Sequence, residues 1–572
     1  MKIRIRFTAF LVAYALVAAP ALSQELPQTW QEQNSFRAGP TPFEPLMAFW
    51  YELDAMSEIV SIQPLTKTLL GREMTLVTIA DPPITNAEDA IRSGKTIVLL
   101  APSVHGGEVS PKEAVQLVAK ELVAGALRSV LEDVIVLAVP LINPDGGEVR
   151  RRTNEAGYDM NRDYVKLESQ EIHALLTQVM TEWTPDIHVD GHHGGSAPYV
   201  ITYQGTLNPA ADSELRAYPY EQIFPRIREA VRAEDYAAFD YSGTRSLDGV
   251  LGWGSTSVEP RKHHVYTGLT NSIGILLETP NNSRRVMRDG TLREIAQEDR
   301  YYHQIRGGVI ATSTILRVAA EQRETIKALT TGSRMRAIQA GATGGDDIVL
   351  DYALASRGTE PVWMPDEDAP LGYTLRDVPV YLRWVPTRTT TRPVGYVLPP
   401  AMAGVVPLLL DHDIAVYNFR EPATLSAEVY YATQVHRDSY FQGHYLKSAD
   451  VEKRSERLEV VPGWFWIPTA QSQANLISYI MEPETDDNLI TWGWTDHLLE
   501  VRPATVEEAM AGFLEDADQS FSEEQLARIR ERIAEDLAEG QRVPMIRVTM
   551  HQSLPVIRVA PFNDYQRNRF SR

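Results

Sequence analysis

The sequence predicts an α/β fold. Between about residue 45 and 320, short apolar runs of strand character alternate with stretches of helical periodicity. Each apolar run also delivers a polar residue just past its C-terminal end, which is where an open α/β sheet presents chemistry. Glycine- and proline-rich turns separate the runs.

The strand candidates are 96–100, 134–142, 186–189, 200–203 and 273–277, and the helix candidates are 111–126, 168–182 and 292–327. The first strand leads into His105-Gly106-Gly107-Glu108. A histidine and a glutamate three residues apart can address one metal ion, and the paired glycines let backbone approach closely. Ser110-Pro111-Lys112-Glu113 follows and reads as a capping box with an early helical proline. The second strand ends in Asn143-Pro144-Asp145-Gly146, which is turn chemistry, and the arginine-rich stretch from Arg150 to Arg162 comes next. The third strand ends in Asp190-Gly191-His192-His193, and the last in Glu278. In a sheet of this kind one crevice collects His105, Glu108, His192 and Glu278.

Around 331–347 the chain turns glycine-rich and reads as a linker. Strands are expected at 378–384, 394–398, 427–431 and 463–468, and short helices at 401–411 and 472–481. Residues 504–540 are charged and helical, with a solvated face.

Bulk properties bound the function. The 572 residues carry a formal charge of −21, which argues against nucleic acid as a partner. No cysteine is present, so thiolate metal sites, disulfides and cysteine nucleophiles are excluded. Any bound metal must therefore be held by His, Asp or Glu. Lys2, Arg4 and Arg6 precede an apolar run from Phe7 to Leu22, and small residues flank a cut before Gln24. Residues 1–23 thus read as a signal peptide, which places the mature protein in the periplasm or the medium. No later stretch is long and apolar enough for a stable membrane span.

The order His-x-x-Glu, Asn-Pro-Asp-Gly, Arg-x-Asn, Asp-x-Asn-Arg, strand-borne His and late strand-borne Glu resembles the zinc carboxypeptidases, the carboxypeptidase A-like metallopeptidases. The resemblance implies a mixed, mainly parallel twisted sheet with helices on both faces across 45–330. Residues 346–572 are then a C-terminal α+β extension, similar to that of larger bacterial members. It implies one Zn²⁺ per chain, held by His105, Glu108 and His192, with His188 and His193 as rivals for the third place. It implies Glu278 as general base toward a zinc-activated water and Arg152 as the group that steadies the oxyanion. Asn161 and Arg162 match the pair that grips a substrate's terminal carboxylate, and Asp159 matches a carboxylate that orients a ligand histidine. Where well-known members carry a mobile tyrosine this chain has Thr256; Tyr266 resembles a tyrosine of a bacterial subgroup and is a candidate substrate contact. The expected partner is a peptide with a free C-terminal carboxylate. Two other functions are compatible with these residues: a zinc amidase acting on murein peptides or acyl-amino acids, and a non-catalytic peptide-binding module.

Overall fold

The computed structural model describes residues 26–517 and 520–559. The signal-peptide reading of 1–23 lies outside them.

The centre is an eight-stranded mixed sheet. Its strands are β1 (Val60–Lys67), β2 (Glu73–Ile79), β3 (Thr96–Pro102), β4 (Val134–Ala138), β5 (Ile187–His192), β6 (Ile201–Gly205), β7 (Ala238–Asp240) and, after the hairpin β8 (Gly243–Leu247) and β9 (Val250–Gly254), β10 (Ile273–Glu278). They lie in the order β1-β2-β4-β3-β5-β10-β6-β7. The inner pairs β4–β3, β3–β5 and β5–β10 are parallel, as is β6–β7, while β1–β2, β2–β4 and β10–β6 are antiparallel. The three inner strands that end in chemistry therefore finish on one edge.

Both faces of the sheet are covered, so its inner strands are apolar throughout rather than alternating. In β3, Val98 and Leu100 pack into one core and Ile97, Leu99 and Ala101 into the other, as a period of two requires. The first core is closed by helices Phe43–Met56, Ser110–Ala124, Phe224–Ala233 and Arg300–Glu321. The second is closed by Gln170–Leu175, which runs on as a wider turn to Met180, by His263–Leu269, and by the C-terminal region. There Leu137 and Tyr266 share a core with Tyr396, Leu409, Ile480 and Met545. Hydrophobic packing thus runs across the position near 346 where the sequence divides. A long hairpin, Ala423–Phe441 with His444–Val460, dominates the C-terminal sheet. Strand Tyr373–Tyr381 also pairs with β9, parallel.

Three expectations are corrected. Residues 331–347 are not a linker, because helix Arg323–Thr343 occupies most of them. Gly341 serves close packing there: a Cβ would come 1.9 Å from the Thr469 carbonyl oxygen. The helix expected over 292–327 starts only at Arg300, after a short strand Leu292–Glu294, and breaks at Gln322. The capping box does not form. The helix begins at Ser110 without a side-chain cap. The Ser110 hydroxyl pairs with Thr279 instead, and the Glu113 carboxylate accepts from the Thr41 amide and hydroxyl. Tertiary partners outbid the local motif.

One buried histidine gives the seam between the two regions a pH signature. His412 has both ring nitrogens engaged in its neutral form, Nδ1 at 2.7 Å from the Tyr266 hydroxyl and Nε2–H donating to the Val165 carbonyl at 2.9 Å. Burial lowers its pKa to about 4, against the pull of that carbonyl. The unfolded chain, titrating near 6.5, binds the extra proton between these values, so this group's contribution is intact above pH 6.5 and is lost as pH falls toward 4. We expect His412→Gln to flatten the stability–pH curve by about 1 kcal/mol per pH unit between pH 6 and 5. Denaturant melts of both proteins across that range measure it; parallel curves would refute it.

Candidate active site and metal centre

The site is assembled at the C-terminal ends of β3, β5 and β10. Beyond β3, Ser103 takes a left-handed conformation (φ 59°), its amide donating to the Gly191 carbonyl at 2.9 Å. The chain then turns through His105-Gly106-Gly107-Glu108. Gly106 is required by a neighbour rather than by a metal: a Cβ would fall 2.1 Å from the Gly146 carbonyl carbon. Asn143 holds that neighbour in place. Its Oδ1 accepts from the Gly146 amide at 2.9 Å, and its Nδ2 donates to the Val104 and Arg152 carbonyls, both at 3.2 Å. The Asn-Pro-Asp-Gly turn is thus a clamp joining the His-Gly-Gly-Glu turn to the arginine loop.

Among the described residues, one group of three could hold a metal ion: His105, Glu108 and His192, with ligand atoms within 4.8 Å of one another. Glu108 lies between the two imidazoles, Oε1 at 2.8 Å from His105 Nδ1 and Oε2 at 2.7 Å from His192 Nδ1. The opposite nitrogens are each backed by a carboxylate: His105 Nε2 by Asp159 at 2.8 Å and His192 Nε2 by Asp190 at 2.9 Å. A carboxylate behind each imidazole fixes its tautomer and aims Nδ1 forward. Burial works against the charge on Glu108, but His192 and the hydrogen bonds from both histidines outweigh it and hold the carboxyl low. The carboxylates on either side in turn favour positive charge at His192 despite its burial. Three carboxylates around two imidazoles call for a cation, and two nitrogens with one oxygen form a donor set suited to zinc with a place left open. The residues fit the group the sequence implied.

The two rival histidines, His188 and His193, are not part of this group. His188 is buried against His263 Nε2 at 3.2 Å. The backbone amide of His193 donates to Glu108 at 3.2 Å, but its buried ring Nδ1 has no partner.

Glu278 ends β10 directly opposite His192 in the parallel register. Its carboxyl is buried, and Oε2 has no hydrogen-bond partner. Burial raises its pKa to about 8; His192 and Arg152 pull it down, while Glu108 and Asp190 push it further up. The Gly194-Gly195 pair makes room for it, since a Cβ at Gly194 would sit 2.5 Å from Oε2. Arg152, half exposed, donates from Nε to Asp159 at 2.9 Å and from Nη1 to Glu108 at 3.2 Å. Arg162 donates to the carbonyl of Asn161 at 2.6 Å and makes no ion pair among the described residues. These side chains line one cavity of about 420 Å³.

Two sequence-predicted substrate contacts stand differently. Asn161 borders the cavity, but its Oδ1 accepts the His263 amide at 2.9 Å and its Nδ2 lies 3.0 Å from His192 Nε2. Its amide braces the histidine rather than facing open space. Tyr266 does not reach the cavity: its ring is buried and its hydroxyl is spent on His412. Helix His263–Leu269 turns that residue toward the C-terminal region.

Sequence reasoning missed several contributors. Asp190 was visible only as a neighbour of His192, two residues earlier on the strand. Tyr241 and Arg245, which line the cavity, carry no motif. Gln442, at the tip of the long C-terminal hairpin, accepts the Asp159 amide hydrogen at 2.9 Å across 283 residues of sequence. Next to it, Phe441 and Trp492 pack over Arg261. The extension thus touches the loop that backs His105.

A buried histidine–glutamate–histidine centre with an acid in register beside it thus lies on the parallel part of a mixed α/β sheet. The zinc carboxypeptidase family model matches residues 46–217, a segment that contains His105, Glu108 and His192. Glu278 lies beyond the matched segment. Carboxypeptidase 2 of Trichophyton rubrum is 21% identical over 426 residues, covering 70% of this chain and 74% of that protein. Carboxypeptidase 2 of Trichophyton equinum is 22% identical over 430 residues, with the same coverage. Among solved structures, a metallo-carboxypeptidase from Burkholderia cenocepacia is similar at TM-score 0.37 and 22% identity, over 49% of this chain and 69% of that one. A metallo-carboxypeptidase from Pseudomonas aeruginosa, solved with (2-guanidinoethylmercapto)succinic acid, is similar at TM-score 0.38 and 22% identity, over 50% and 70%.

Proposed function

We propose that this protein is an exported zinc metallocarboxypeptidase that hydrolyses C-terminal peptide bonds. The observation that carries the reading is the convergence of His105, Glu108 and His192 with Glu278 in register beside them. His105, Glu108 and His192 would hold a zinc ion, which when bound would supply Lewis acidity to the scissile carbonyl and to the attacking water. Glu278 takes a proton from the attacking water at its buried carboxylate and returns it to the leaving amine. Arg152 faces the developing oxyanion while its Nε keeps the hydrogen bond to Asp159. Arg162, without a carboxylate partner, receives the substrate's α-carboxylate. Asp159 and Asp190 hold the imidazoles in their tautomers. Export rests on the N-terminal segment 1–23, and residues 346–572 act as an extension that braces the arginine loop through Gln442.

One observation keeps a second reading in play. The Asn161 amide is spent within the protein, so demand for a terminal carboxylate rests on Arg162 alone. A zinc amidase acting on murein peptides or acyl-amino acids would use the same metal and base. Paired peptides with free and amidated C-termini separate the two. We expect release of the terminal residue from the free acid and a rate at least ~100-fold lower for the amide. Equal rates would favour the amidase.

A further inference from the structure

The catalytic reading leaves part of the cavity wall without a task. Arg245, on β8, lines the cavity, yet its guanidinium forms no hydrogen bond or ion pair with any described residue, and its Nε is buried. Arg162 likewise has no carboxylate partner. Arg152 and Lys262 add two further cations to the wall, but Arg152 is paired with Asp159 and Glu108, and the Lys262 ammonium with Glu259 at 2.6 Å. The carboxylates on the wall are Glu108 and Glu278, and both are committed, one between the imidazoles and one as base. The rest is mainly hydroxyl-bearing: Ser242, Ser255, Thr256 and Ser257, with Leu276 as the aliphatic exception.

This lining excludes two familiar kinds of side chain. A large apolar residue would desolvate hydroxyls and guanidinium groups without replacing their hydrogen bonds. A basic residue would meet arginines without carboxylate partners and no free carboxylate. Two guanidinium groups without carboxylate partners in one cavity match a ligand with two carboxylates. A C-terminal glutamate or aspartate is such a ligand, carrying one carboxylate on the backbone and one on the side chain.

We propose that Arg245 is a specificity-determining residue that receives the side-chain carboxylate of an acidic C-terminal residue, while Arg162 holds the α-carboxylate. The proposal rests on the carboxypeptidase reading for its orientation. The chain has 76 acidic against 55 basic residues, and among the described residues no carboxylate pairs with Arg245. A cationic pocket on an anionic protein also draws acidic peptides inward and past a repelling surface.

Two measurements on the full-length mature protein test it. The first compares release of the terminal residue from otherwise identical peptides ending in Glu, Gln, Phe or Lys. We expect kcat/KM for Glu to exceed that for Gln by about 10- to 100-fold, as one charge-assisted pair supplies. Phe and Lys should be poorer still. In Arg245→Met the Glu/Gln ratio should fall to near one, and Arg245→Lys should recover part of it. The second measures binding of N-acetylated dipeptides ending in Glu, Gln or Phe to zinc-loaded Glu278→Gln protein by calorimetry, where turnover plays no part. The same order of affinity, erased by adding Arg245→Met, supports the proposal. A preference for Phe or Lys, or equal treatment of Glu and Gln in binding, overturns it even if the enzyme proves a carboxypeptidase. Glu-selective binding without release of any terminal residue would instead overturn the carboxypeptidase reading and leave the acidic pocket standing.

Discussion

Glu278→Gln is expected to lower kcat by roughly 10²–10⁴-fold while zinc still binds at one ion per chain. The exchange preserves size and burial but removes the proton acceptor. The other carboxylate on the cavity wall does not replace it: Glu108 is held between His105 and His192, and its carboxyl is kept low by them. Glu278 is also fixed in place, by the strand register that sets it opposite His192 and by the space Gly194 leaves for it. Because the acceptor acts on the reacting proton, kcat and kcat/KM should fall together with little change in KM. Steady-state kinetics and metal analysis on the same preparation check this. Retained turnover would remove Glu278 from the mechanism, and lost zinc would make it a ligand.

The second large effect concerns the metal itself. Glu108→Gln keeps the shape of the bridge between the imidazoles but removes its charge, so we expect zinc affinity to fall by more than ~100-fold and activity to vanish after dialysis. Asp159→Asn should be milder, about 10- to 100-fold, since it disturbs the orientation of His105 through Nε2 and the anchoring of Arg152 without removing a ligand. The ranking matters more than either number. If Asp159→Asn proved the worse, the ligand assignment would be at fault. Competition titration against a chromogenic chelator gives both affinities.

The strand ends were legible because buried inner strands are apolar on both faces and so stand out, and because a residue that stops such a run points to the sheet edge. His105, Glu108, His192 and Glu278 all carry that signature. The choice among His188, His192 and His193 needed three dimensions: it depends on which ring meets Glu108, and periodicity alone puts 188 and 192 on one face. Tyr266 misled because its helix faces the C-terminal region, whose contribution to the core no local pattern announces. Gly341 looked like a linker glycine but marks a close approach of helix to backbone; composition does not distinguish the two. Ser110 and Glu113 spelled a cap and were claimed by Thr279 and Thr41. Gln442 and Arg245 were invisible for a simpler reason, since each acts on a site made of residues far away in sequence.

The central claim is that a metal bound by His105, Glu108 and His192 drives removal of C-terminal residues. The most direct test combines metal analysis of the purified protein with a peptide digest followed by mass spectrometry, before and after treatment with a chelator. The account predicts one zinc ion per chain, ladders that shorten only from the C-terminus, their loss with the chelator and their return when zinc is restored. Internal cuts, or C-terminal trimming that survives complete removal of the metal, would contradict it.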